Sequence, residues 1–66
     1  MYRNSLKKYR KEKGLTIKAL AEKARISPGY ICHLEKGDRK NPSIRIMEQI
    51  ANSLNKSVAE VFFDDN

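Results

Sequence analysis

The sequence predicts an all-α fold: a compact bundle of five short helices. Three observations point there. Apolar residues recur at three- and four-residue intervals, and no stretch alternates at period two for long enough to make a strand. Thr16, Ser27, Ser43 and Ser57 each stand just before such a run, where a hydroxyl can satisfy an orphan helix amide. The 3 glycines and 2 prolines fall where helices should begin or end.

The first helix is expected from about Asn4 to Lys13, with Leu6 and Tyr9 as its apolar stripe, Arg10 and Lys13 beside them, and Gly14 as the left-handed stop. The second is expected from Ile17 to Ala24. Thr16 caps it, and Leu15 can staple onto Leu20 at the fourth helical position. Leu20, Ala21 and Ala24 share one face, and the small alanines let another helix come close. The third is expected to start at Pro28 and to be ended by Gly37. Ser27 caps it, Pro28 sits where no amide bond is lost, and Ile26 and Ile31 repeat the staple. The fourth is expected from Ile44 to Leu54, with Ile44, Met47, Ile50, Ala51 and Leu54 facing inward. The fifth covers Val58 to about Phe62, where Ser57 and Glu60 make a capping box. The tail Asp64-Asp65-Asn66 is expected to fray.

A link of two to four residues joins the second helix to the third, and so short a link forces a sharp helix-turn-helix corner, at about residues 16–36. Turning the third helix by about 100° per residue from Ile31 puts Leu34 near 300°, so the inward face centres on these two. Cys32 falls at about 100°, Lys36 at about 140°, Gly29 at about 160° and His33 at about 200°, all away from the core, with Tyr30 on the flank at about 260°. Glycine on an outward helical face costs roughly 0.5–1 kcal/mol against alanine in a helix interior. In return it lets another surface approach the backbone, and helix N-terminal amides favour anions. Read singly, Gly29, Cys32 and His33 are ordinary surface residues; the cap, the staple, the corner and the charge distribution together favour a binding face.

The chain has 66 residues and a net charge of +6. Residues 1–40 hold 12 Lys/Arg against 4 Asp/Glu, a balance of +8, while residues 41–66 hold 2 against 4, a balance of −2. A basic front and a mildly acidic back suit a polyanion-facing side. A single domain over 1–66 is expected, with a thin core. One Cys and one His exclude an internal disulfide and a four-ligand zinc site. No apolar run approaches the ~18 residues of a membrane span, and the lone Cys32 suits a reducing compartment, so a cytoplasmic location is expected. No Ser-His-acid set or cleft-forming carboxylate pair is legible, and "KGDRKNPS" lacks phosphate-loop spacing. An enzyme is not expected, nor a cofactor, metal or small-molecule ligand.

Residues 6–62, and above all "KEKGLT", "LAEKA", "ISPGYICHLEKG" and "KNPSI", resemble the Cro/CI-type (XRE) helix-turn-helix domain of bacterial and phage regulators, a lambda-repressor-like fold. The "NPSI" segment resembles that of SinR-type regulators. The resemblance implies five helices, with the third as recognition helix in the major groove of double-stranded DNA. Its base-facing positions then correspond to Pro28, Gly29, Cys32 and His33. The residues themselves select three of these; Pro28 comes from the resemblance. Lys36 and the loop Asp38-Arg39-Lys40-Asn41 match phosphate-contacting positions, as do Thr16 and Ile17. Ser27 and Tyr30 flank the same helix start. Arg10 and Glu35 match a family ion pair that holds the recognition helix at its angle, with Arg10 near a phosphate.

Two departures stand out. Ile17 occupies a position where relatives often carry Gln, whose amide meets the DNA backbone. Pro28 and Gly29 offer no side-chain donor where relatives read bases by hydrogen bond. Base reading then falls on His33, on Tyr30 from the flank and on Cys32, with phosphate clamping and DNA deformability supplying much of the selectivity. The expected function is sequence-specific transcriptional regulation, as a repressor binding a palindromic operator as a homodimer. Ile46, Val58, Val61, Phe62 and Phe63 form a candidate apolar dimer patch, unless the phenylalanines simply close the core. The alternative from another class is a protein-interaction module such as an antitoxin.

Overall fold

A computed structural model describes residues 4–37 and 42–63. Among the described residues five helices follow in order: α1 Leu6–Glu12, α2 Ile17–Ala24, α3 Pro28–Lys36, α4 Ile44–Ser53 and α5 Val58–Phe62. The caps explain these bounds. Thr16, Ser27, Ser43 and Ser57 each accept a hydrogen bond from the amide three residues on. Glu60 returns the contact to the Ser57 amide at 3.0 Å, completing the capping box.

Three corners share one device. The amides of Leu15, Ile26 and Lys56 reach back five residues to the carbonyls of Arg10, Ala21 and Ala51, at 3.1, 2.9 and 2.9 Å. The residue before each donor is left-handed: Gly14 at φ +70°, Arg25 at +62° and Asn55 at +60°. This is the Schellman stop, which satisfies orphan carbonyls as it reverses the chain. Leu15 and Ile26 then pack onto the core, so each stop also aims an apolar anchor inward.

The core lies where α2 packs on α3 and α4, α4 on α5, and α1 on α3 and α5. Leu6, Leu20, Ile31, Leu34, Ile50, Leu54 and Val61 are fully buried, and Met47 nearly so. A large-to-small change at such a site costs about 2–5 kcal/mol, against a total of roughly 3–10 kcal/mol for a domain this small. No single anchor is therefore dispensable.

The structure revises three expectations. α1 begins at Leu6, not Asn4, because the Asn4 side chain is the acceptor that starts it, taking the Leu6 amide at 3.0 Å. Ile44 is not inward; it is 62% exposed. As the first residue of α4 its side chain points back past the helix end, where no described element covers it. The C-terminal patch is smaller than expected: Val61 and Phe62 are buried, Ile46 and Val58 pack against the core, and Phe63 remains 61% exposed. No described helix is long and apolar enough to cross a membrane. The tail 64–66 lies outside the described residues.

Candidate nucleic-acid interface

α3 is held by its inward face. Ile31 and Leu34 are both 0% exposed, while Pro28, Gly29, His33 and Lys36 are exposed and Cys32 and Tyr30 are half-buried. Tyr30 rests against the core. The helix therefore shows solvent the face that the projection selects. Gly29 has open space around the position a Cβ would take, so its lack of a side chain relieves no crowding within the chain. What it leaves bare is backbone at the first turn. There Pro28 has no amide proton, the Gly29 amide precedes the first intrahelical acceptor, and Ser27 Oγ accepts from Tyr30 N at 3.2 Å.

α2 contributes a second helix start. Thr16 is exposed and its Oγ1 accepts from Ala19 N at 3.0 Å. The Ile17 and Lys18 amides precede that bond and have no intrahelical partner. The Ile17 side chain packs against the core, which leaves its backbone as the polar group at that position.

Arg10 is where the structure departs most from a surface reading. Its side chain is only 10% exposed and that of Glu35 only 6%. The guanidinium donates from Nε to Glu35 Oε2 at 2.6 Å, from Nη2 to Oε1 at 3.1 Å, and from Nη1 to the Leu15 carbonyl at 2.7 Å. The ion pair expected from the resemblance is present. The guanidinium donates three of its five N–H groups within the chain. The hydrogen bonds with Glu35 hold the Arg10 cation above the ordinary arginine value; burial opposes this and the Glu35 charge adds to it. A raised cationic value means that the stabilisation arising from Arg10's ionisation is present in full below the unfolded arginine value and lost as pH rises through the folded one. Both lie far above neutrality, so Arg10 stays charged wherever the fold is populated.

Two contacts escape sequence reasoning. Asn4 Nδ2 donates to the Leu34 carbonyl at 2.9 Å, and Gln49 Nε2 donates to the Ala24 carbonyl at 3.0 Å. Asn two residues before a helix is a legible capping signal. Its second bond, 30 positions away, leaves no local pattern. Exposed cations on the described front include Lys7, Lys8, Lys11, Lys13, Lys18, Lys23, Arg25 and Lys36. Arg39, Lys40 and Asn41 lie outside the described residues. Among the described residues no group of His, Cys, Asp and Glu is arranged to hold a metal.

A family model for the helix-turn-helix matches residues 6–61, nearly the whole described bundle. The chain belongs to the XRE helix-turn-helix family. Within that family it is 42% identical over 53 residues to the transcriptional regulator SinR of Bacillus subtilis, covering 80% of this chain and 48% of SinR. It is 41% identical over 56 residues to the immunity repressor protein of Bacillus phage phi105, covering 85% of this chain and 38% of that repressor. The chain thus spans about half the length, or less, of these relatives. The solved structure of SinR in complex with DNA superposes with a TM-score of 0.78 at 42% identity, over 80% of this chain and 84% of that one. This XRE domain therefore shares its bundle with a protein captured on DNA.

Proposed function

We propose that this XRE domain is a sequence-specific double-stranded DNA-binding module of a transcriptional regulator. It acts as a cytoplasmic repressor and meets a palindromic operator as a homodimer. One observation carries the reading: α3 is anchored by Ile31 and Leu34 while Gly29, His33 and Lys36 face solvent. A helix anchored so and bare at its first turn suits entry into a major groove. Likeness to SinR, one of whose solved structures is a complex with DNA, supports it.

Roles follow from chemistry. Pro28, Gly29, Cys32 and His33 face base edges, with Pro28 suited to a thymine methyl and His33 to a hydrogen bond. Tyr30 meets sugar or phosphate from the flank. Lys36 and the segment Arg39-Lys40-Asn41 clamp phosphates. The helix-start amides behind Ser27, Thr16 and Ile17 add neutral donors to the same backbone. Because Pro28 and Gly29 bring no donor, each half-site has few direct base bonds, and DNA shape contributes much of the selectivity.

In vitro selection of bound duplexes, with sequencing, tests the reading. An inverted repeat with half-sites about 34–36 Å apart is the expected result. Affinity for that duplex should fall steeply with salt. Ile44 and Phe63, both more than half exposed, favour a second reading as a protein-interaction module. That reading would prevail if selection enriched no duplex and a partner protein bound in the absence of DNA.

A further inference from the structure

Both helices of the helix-turn-helix end on backbone carbonyls that the helix itself cannot fully satisfy. In each case a side-chain amide from outside the unit supplies a donor. Asn4, ahead of α1, donates to Leu34 near the end of α3, and Gln49, on α4, donates to Ala24 at the last position of α2. We infer that Asn4 and Gln49 are positioning residues for DNA reading: they tether the two helices of the reading unit to α1 and α4 and so set the angle at which α3 meets the groove. This rests on the proposed DNA-binding function.

The orientation of Asn4 is fixed at both ends. Its Oδ1 accepts the Leu6 amide at 3.0 Å, which leaves Nδ2 as the end facing Leu34. Leu34 lies between His33 and Lys36 on α3, so the tether holds the half of the helix that carries both. Gln49 acts at the corner itself, one residue before left-handed Arg25. Neither amide needs to touch DNA. Base-edge hydrogen bonds weaken steeply with misalignment, whereas phosphate attraction tolerates small displacements. A loosened α3 therefore loses discrimination before it loses affinity. The effect is sharpened by the donor-poor tip at Pro28 and Gly29, where few base contacts exist to hold the helix in register.

Two near-isosteric variants separate tethering from folding. Asn4→Asp keeps the acceptor for Leu6 and replaces the donor by a carboxylate facing the Leu34 carbonyl. Gln49→Met keeps length and apolar volume and removes the donor. The whole 66-residue chain is titrated onto the selected duplex and onto a scrambled duplex of equal composition, well below each variant's melting midpoint. The expected result is a cognate-to-scrambled ratio reduced roughly two- to tenfold in each variant, the worth of one hydrogen bond, with scrambled affinity and salt slope held within about twofold of the wild-type chain. Unchanged ratios in both variants, or parallel loss on both duplexes, would overturn the inference while leaving the DNA-binding reading in place. A wild-type chain with no preference between the duplexes would overturn that reading and this inference with it. Should Asn4→Asp fail to fold, Gln49→Met carries the test alone, since its bond does not involve α1.

Discussion

Arg10 and Glu35, 25 positions apart, meet through two parallel hydrogen bonds of 2.6 and 3.1 Å in a site almost closed to water. The third donation, to the Leu15 carbonyl, joins the α1–α2 corner to the same guanidinium. One cation thus ties the end of α1, the corner and α3 together, which makes it an internal brace of the reading unit.

Removing one partner of this brace leaves the other charge buried. Arg10→Met should therefore destabilise the chain by about 3–5 kcal/mol, a large part of the roughly 3–10 kcal/mol available. The double variant Arg10→Met/Glu35→Leu should recover much of that loss, because the lone buried carboxylate is gone. Urea denaturation of the single and double variants measures the coupling. Equal loss in both would show that the pair's burial is not the source of the cost.

On the exposed side of α3, two neighbours on one face should fail differently. His33→Ala should change the selected consensus and weaken the best duplex by roughly tenfold, while scrambled DNA is held nearly as before. Lys36→Ala should weaken all duplexes about equally and lower the log-salt slope by about one. Selection and salt titration on both variants separate base reading from phosphate clamping. An unaltered consensus for His33→Ala would remove it from the reading face.

Most of the bundle was legible because local signals agreed. At α3, the Ser27 cap, Pro28 at the first position, the Ile26–Ile31 spacing and the stop at Gly37 all name the same nine residues, and the structure has those bounds. The exposed set of Gly29, His33 and Lys36 followed from helical periodicity alone. Ile44 failed because a periodic pattern counts faces and ignores ends; the first residue of a helix has little of the bundle beside it. Asn4 and Gln49 were illegible for another reason. Their partners are backbone carbonyls, and every residue has one, so no residue type marks the far end. Arg10 was legible as an ion-pair member only through the family resemblance, and its commitment to Leu15 required coordinates.

Arg25 turns the α2–α3 corner at φ +62°, a conformation that crowds any Cβ. Holding a non-glycine residue there costs about 1–2 kcal/mol, more than the roughly 0.4–1 kcal/mol of extra unfolded freedom that glycine brings. Arg25→Gly should therefore raise stability by about 0.5–1 kcal/mol, or about 2–8 °C in Tm for a domain of this size. Asn55→Gly should gain less, since Asn tolerates the left-handed region. Thermal melts followed by circular dichroism rank the two. A lower Tm for Arg25→Gly would mean that the arginine side chain contributes more than its backbone strain removes.

Cys32 offers a direct view of the interface, being the chain's 1 cysteine and half-buried on the outward side of α3. A small uncharged alkylating reagent should label it in the unbound chain, since the site is open enough to admit one. Saturating selected duplex should slow labelling by roughly tenfold or more, as a groove-bound helix excludes solvent from that face. Scrambled duplex at a salt concentration where it does not bind should have no effect. The rate is read by intact mass, so no substitution is needed and the native surface is preserved. If selected duplex bound fully while Cys32 reacted at its unbound rate, α3 would not lie in the groove, and the DNA would have to rest on another basic surface, such as the lysines of α1.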